Sequence, residues 1–497
     1  MTELESNNAA SPHKVKVSYG WDLWELLKLT WPLLLGNMLE WYEFGVYAYV
    51  VPEMQANFFS GSAIETWVGF AVTFVARPFG GFVLGWIADR FGRKISVQLS
   101  LGGMILATVG QGLLPGAYWG SSAQGFGMVM LIILRALQGL SAGGEIATVT
   151  AMLMEVAPLQ VIGMSVCFIS VGSQVAWAFA SALLAVLNNQ LGPEQMLIWG
   201  WRVPFLITLF PGLLALWGRN RLEETGDFSQ EIKPQPVRAA DAESQGGEGA
   251  EDAENAGEAE KSAGKWAVTE LLTNYLPVIF IGFGATAATA TAWFVPPFWI
   301  LSALLDANLG ASDSLWVGNM SQLVGLAVTP LAGYLTDQRG VAWVTLAGAA
   351  FFTVIGLPVY AWISYFPTSR TVAYLGIGLF FGAAQGFAGA TIYLFNAELF
   401  PARLRCLGLA FSYNLAVSFI GGFGPMICQA LLPISLHFAP GIYFSGMGAI
   451  SVLTVLYSLY LRKRGLVRLT HQRDEPYFGR IKEDSVVPVS SARRLEL

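Results

Sequence analysis

Apolar stretches of about twenty residues recur along the chain, separated by short polar breaks and by one long one. A helix rising 1.5 Å per residue needs about twenty mostly apolar residues to cross a bilayer. Twelve segments meet that requirement. They are Leu29–Val51, Trp67–Ala88, Ile95–Leu114, Gly127–Leu153, Met164–Leu187 and Trp201–Trp217, then Tyr275–Trp299, Val317–Thr336, Trp343–Ile363, Val372–Phe395, Cys406–Ala430 and Ile442–Leu461. No segment sustains the period-two alternation of barrel strands. The pattern predicts an all-α polytopic membrane protein of twelve helices in two six-helix halves. Its divisions are a tail over 1–28, a bundle over 29–218, a linker over 219–272, a second bundle over 273–461 and a tail over 462–497.

Basic residues orient the spans, because Lys and Arg collect in short cytoplasmic loops. Arg90, Arg93 and Lys94 follow the second span, Arg219 and Arg221 the sixth, and Arg339 the eighth. Arg403 and Arg405 precede the eleventh, and Arg462, Lys463 and Arg464 end the twelfth. The opposite connections, Pro52–Thr66, Pro115–Phe126, Asn188–Ile198 and Ser302–Leu315, contain neither Lys nor Arg; Arg370 alone breaks the rule. Gln190–Gln195 and Phe366–Arg370 read as short loops. Both termini and the linker are therefore expected in the cytoplasm, with the cell membrane as the host bilayer. The polar start of the chain lacks a cleavage site, so the first span reads as a retained anchor.

Composition agrees. Of 497 residues 54% are hydrophobic and only 12% charged, about half the charge of a soluble domain. The net charge of −6 comes from one segment: Glu223 to Glu260 holds twelve acids against Lys233 and Arg238. That stretch reads as a solvated linker, and the charge gives no ground for a nucleic-acid partner. Cys167, Cys406 and Cys428 lie far apart in apolar surroundings and read as small fillers of helix faces. His13, His437 and His471 have no metal-ligand spacing, and no phosphate-binding Gly-rich loop is present.

Three motifs recur in the same order, 243–248 residues apart: Gly85–Lys94 with Gly333–Gly340, Gln138-Gly139 with Gln385-Gly386, and Glu155–Pro158 with Glu398–Pro401. A parallel duplication of a six-helix unit explains all three. Such repeats place a ligand site between the halves, near the membrane midplane.

Ionisable groups at membrane depth are costly, and each one is a functional candidate. Glu40, Glu43, Arg77, Arg135, Glu145 and Arg202 all lie in the first half. The second half offers neutral polar and aromatic groups instead. Asn37, Glu40, Glu43 and Tyr47 recur at three-to-four-residue spacing, hence on one helix face. Two carboxylates one turn apart in a low-dielectric bundle cannot both stay ionised cheaply, which suits a group that loads and releases protons. Glu40, Glu43, Glu145 and Arg77 are thus the proton-coupling candidates, the proton being the coupling ion and no cofactor or metal being expected. Substrate-binding candidates are Asn37, Tyr42, Arg77, Gln138, Trp293, Gln322, Gln385, Tyr393, Asn396 and Asn414, with Trp299 and Tyr413 beside them. Asp89, Arg90, Arg93, Arg135, Asp337, Glu398 and Arg403 are gating candidates, since charges at a half-to-half boundary can pair in one state and part in another.

These residues resemble the major facilitator superfamily, and within it the metabolite:proton symporter family. The resemblance rests on Gly36-Asn-Met-Leu-Glu40-Trp-Tyr-Glu43-Phe, Arg77-Pro-Phe-Gly-Gly81, Gly85–Lys94, Arg135–Glu145, Gly200-Trp-Arg202-Val-Pro-Phe205, Glu398–Arg405 and Tyr413-Asn414. It covers nearly everything but the linker and tails. It implies proton-coupled uptake of a small osmolyte or organic acid, such as betaine, proline, citrate, 2-oxoglutarate or shikimate; a monomer in the lipid bilayer is the default expectation. The chain departs from the family pattern in having Glu43 where Asp is usual and no Arg in Ala157–Gly163; its central loop is also longer. Two other readings stay open here: a uniporter or exchanger on the same fold, and a membrane sensor that docks a partner through the acidic loop.

Overall fold

The computed structural model describes residues 19–59, 63–221, 268–300 and 311–465, together with 467 and 469. The acidic segment over 222–267, the stretch 1–18 and the residues from 470 onward lie outside it. Twelve helical segments form the body: α1 (Tyr19–Tyr49), α2 (Ala63–Phe91), α3 (Arg93–Leu113), α4 (Ser121–Val156), α5 (Ile162–Ile198) and α6 (Gly200–Asn220). The second set is α7 (Leu276–Phe294), α8 (Ala311–Arg339), α9 (Val341–Tyr365), α10 (Arg370–Glu398), α11 (Ala402–Leu431) and α12 (Ala439–Lys463). Among the described residues nine of these are long and apolar enough to cross a membrane. Helices α1, α2 and α8 have the length as well.

The boundaries differ from expectation where the backbone has a local reason. Helix α1 opens at Tyr19, inside the stretch assigned to the tail. The predicted loop over Gln190–Gln195 is helical. Gly192 adopts φ 71°, kinking α5, and Pro193 restarts the helix, which runs on to Ile198. Pro296 and Pro297 end the regular part of α7, and a π-helical turn over Pro296–Ile300 follows. The turns after α2 and α8 are matched. Gly92 (φ 113°) and Gly340 (φ 89°) occupy the left-handed region, where a side chain would strain the backbone, and each lets the next helix start one residue later.

Helix pairing repeats with a shift of six. Helices α1 and α5, α2 and α4, α3 and α4, and α1 and α6 pack together in the first half. Their counterparts α7 and α11, α8 and α10, α9 and α10, and α7 and α12 do so in the second. Across the boundary α5 lies along α8, and α11 along α2, as a two-fold relation requires. The largest cluster of buried apolar residues draws on both halves, with smaller clusters beside it.

Candidate functional site

Helix α1 presents Asn37, Glu40, Glu43 and Tyr47 inward, all nearly inaccessible. Glu40 Oε1 accepts from Arg77 Nη2 of α2 at 2.5 Å, and both side chains are 0–1% exposed. Arg77 Nε donates to Asn414 Oδ1 of α11 at 3.3 Å. Asn414 Nδ2 in turn donates to the Gly143 carbonyl of α4 at 2.6 Å and to Ala410 O at 2.8 Å. One polar chain therefore joins α1, α2 and α4 of the first half to α11 of the second. Gly143 makes this possible: a Cβ there would run into the Arg77 carbonyl, so only glycine lets α2 and α4 approach this closely.

Aromatic rings surround the pair. The Arg77 guanidinium lies 5.0 Å from the Phe44 ring centroid and 6.0 Å from Trp41, close enough for attraction to the ring faces. Trp41 meets Trp293 of α7 at 5.0 Å across the boundary, and Phe74 meets Phe294 at 5.3 Å. The Tyr393 and Tyr413 hydroxyls lie 3.3 Å apart. Glu40 Oε2, Arg77 Nη1 and the indole nitrogens of Trp41 and Trp293 are buried without a hydrogen-bond partner. Buried polar atoms are nearly always paired, so four orphans in one place make it a candidate ligand site.

A second network lies beside the first. Glu43 Oε1 accepts from Gln111 Nε2 of α3 at 3.0 Å. Gln111 reaches Gln138 Oε1 at 3.4 Å, and Arg135 Nη1 donates to the same oxygen at 2.5 Å. Arg135 sits 3.7 Å over the Tyr47 ring. Arg135, expected at a gate, is instead buried in the first half. A third group lies within the first half. Glu145 forms an ion pair with Arg219 and accepts from Ser100 at 2.5 Å. Arg219 also donates to the carbonyls of Val97 at 2.5 Å, Pro32 at 3.2 Å and Leu33 at 3.3 Å. Arg219, read from sequence as a surface anchor, is fully buried and ties α1, α3, α4 and α6 together.

The boundary closes at the end carrying Asp89 and Asp337. Asp89 accepts from the backbone N–H of Cys406 (3.3 Å) and Leu407 (2.9 Å), in the first turns of α11. Asp337 accepts from Gly163 (2.6 Å) and Met164 (3.1 Å), in the first turn of α5. Each half thus places a carboxylate on a helix N-terminus of the other, where the unpaired N–H groups and the helix dipole favour negative charge. Arg93 adds an ion pair to Glu155 at 2.9 Å and a bond to Ala402 O at 3.3 Å; Arg405 joins Glu155 at 3.4 Å. Arg403 pairs with Glu270, in the stretch assigned to the linker, at 2.5 Å. Arg90 lies over Trp86 and Phe91, and Glu398 is buried at the end of α10.

The remaining candidates scatter. Asn37 donates to Ile169 O (2.9 Å) and Tyr42 to Pro204 O (3.0 Å), both inside the first half. Gln322 and Gln385 bond to each other at 3.2 Å, and Asn396 donates to Thr286 at 3.0 Å. Trp299 stacks on Tyr360 and donates to Gln429. Arg202 is only partly buried, over Trp201. The three cysteines are buried and free. Gln111 and Trp41 join the networks without having been singled out, and Glu155 without a role assigned to it.

A model of the sugar (and other) transporter family matches residues 29–463. The chain belongs to this family of the major facilitator superfamily. It is a multi-pass membrane transporter. The transporter is 28% identical over 438 residues to the ectoine/proline transporter ProP of Corynebacterium glutamicum, covering 85% of this chain and 82% of that one. It is 25% identical over 435 residues to the glycine betaine/proline/ectoine/pipecolic acid transporter OusA of Dickeya dadantii, covering 85% and 81%. Its fold matches the proton:xylose symporter XylE bound to 6-bromo-6-deoxy-D-glucose, with a TM-score of 0.72 at 19% identity over 91% of this chain and 98% of that one.

Proposed function

We propose that this transporter carries a small zwitterionic osmolyte of the proline or betaine kind into the cell together with a proton. The single observation that carries the reading is the Glu40–Arg77 pair: fully buried, at the junction of the halves, and fastened across it through Asn414. A carboxylate there can be neutralised by a proton or by Arg77, and the choice is coupled to how the halves meet. The relatives named for ectoine, proline, glycine betaine and pipecolic acid support a substrate that combines a carboxylate with a cationic nitrogen. The basic loops support a cell-membrane orientation with both termini cytoplasmic. In that orientation the Asp89 and Asp337 contacts close the cytoplasmic side. One chain is the working unit, its lobes over 29–218 and 273–461 rocking about the boundary.

The test is uptake into proteoliposomes of labelled proline, glycine betaine, ectoine, citrate, 2-oxoglutarate and shikimate, with the exterior acidified and then at equal pH. The zwitterions should accumulate only under the gradient, and a protonophore should abolish it. Accumulation unchanged at equal pH contradicts coupling, and uptake confined to the dicarboxylic and tricarboxylic acids contradicts the substrate class.

A further inference from the structure

We propose that Arg77 is a shared anchor: the carboxylate of a zwitterionic substrate takes the place of Glu40 on its guanidinium, so substrate seats only when Glu40 carries a proton. The proposal rests on the symport reading above and says how that coupling is enforced.

The guanidinium is half used. Nε is committed to Asn414, and Nη2 to one oxygen of Glu40. Nη1 and Glu40 Oε2 have no hydrogen bond although both groups are buried. Arginine usually grips a carboxylate with two parallel bonds, and here it grips with one. A second carboxylate brought to Nη1 would set two anions against one cation where both side chains are 0–1% exposed, which is strongly unfavourable. A proton on Glu40 removes the repulsion, weakens its hold on Nη2 and leaves a two-pronged fork facing the newcomer.

No other charged group nearby can make the exchange. Glu145 of α4 and Glu43 of α1 both act on Glu40 electrostatically, but Glu145 is held by Arg219 and Ser100. Glu43 is held by Gln111, with Arg135 close by. On the second half, Tyr393 of α10 and Tyr413 of α11 face the Glu40–Arg77 pair. Helix α7 contributes Trp293 and Phe294, which carry no charge. These rings and Trp41 supply the π faces that a cationic nitrogen next to a carboxylate requires. The unpartnered indole N–H groups of Trp41 and Trp293 add donors for its oxygens.

The only bond that changes is the O–H of Glu40. It forms with a proton from the outer side as the substrate carboxylate pairs with Arg77. It breaks on the inner side once the substrate has left, and Glu40 returns to Arg77. Each cycle moves one zwitterion and one proton, hence one net positive charge.

Binding of radiolabelled glycine betaine to the purified full-length protein, measured against pH, tests this. For one linked proton the wild-type affinity should fall about tenfold per pH unit above the titration of Glu40. Glu40→Gln, an uncharged stand-in for the protonated acid, should bind with a flat profile and exchange betaine between pools while losing proton-driven accumulation. Choline, which lacks the carboxylate, should not compete at any pH, and Arg77→Gln should lose binding. Should Arg77→Gln fail to fold, the Glu40→Gln profile alone decides. The same tenfold slope in Glu40→Gln, a flat wild-type profile, competition by choline, or no binding of betaine, proline or ectoine overturns the proposal. Proton-driven uptake by a wild-type protein whose binding ignores pH would leave symport standing and remove only the exchange. No proton-driven uptake alongside the expected slope would do the reverse.

Discussion

Replacing Asp89 by Asn perturbs one of the two matched closures and little else. The carboxylate accepts N–H bonds of 3.3 and 2.9 Å from Cys406 and Leu407. An amide can accept only one of them, and its NH2 would face the other donor. Losing one charge-assisted bond costs about 1.5–3 kcal/mol, and losing the charge at a helix N-terminus costs about 0.3–1 kcal/mol more. Allowing for the bond that Asn keeps, the closed form should lose about 2 kcal/mol, a factor of about 30 in the open population. The protein carries its own reporters. Cys406 is buried against Asp89, and Cys167 is buried beside Gly333, one turn from Asp337. In a Cys428→Ser background, labelling by a hydrophilic maleimide should therefore quicken about 30-fold in Asp89→Asn. If the lobes rock as rigid bodies, Cys167 should quicken by the same factor, although its own closure is intact. An unchanged labelling rate in a variant that melts like the wild type would refute the charge-on-dipole closure. Acceleration at Cys406 alone would refute rigid rocking.

Two further substitutions separate structure from function. Arg219→Gln strands Glu145 as an uncompensated buried acid and should cost about 3–5 kcal/mol, read as a lower melting temperature in detergent; adding Glu145→Gln should recover part of the loss. Asn414→Ala removes the bridge from Arg77 across the boundary. It should weaken glycine betaine binding about tenfold, or about 1.4 kcal/mol, with much less effect on melting.

Much of this was readable from the sequence because the bilayer simplifies it. Apolar length gave the twelve spans, and the cost of burying ions singled out Glu40, Arg77 and Glu145, all of which are buried. The duplicated Gly85 and Gly333 motifs likewise marked both closures. What stayed hidden depended on neighbours in space. Arg219 sits in the last turn of α6, where hydropathy cannot tell a solvated arginine from one folded back onto Pro32 and Leu33. Gln111 and Trp41 look like any amide and any aromatic in an apolar run. Only the packing of α3 against α1, and of α1 against α7, reveals them as partners of Glu43 and Trp293. Conversely, Arg202 lies in a matching motif yet only partly buried, because the turn at Gly200 holds it near the end of the bundle. The kink at Gly192 was read as a loop since Gly-Pro ends helices more often than it bends them.

The measurement that bears most directly on the central claim is the pH inside the vesicle. Proteoliposomes loaded with a fluorescent pH dye, held at equal pH on both sides and clamped at zero potential, receive glycine betaine or proline outside. Coupled entry should acidify the lumen by one proton per substrate taken up, and Glu40→Gln should leave it unchanged. Substrate entering the wild-type vesicles without any acidification would contradict the account.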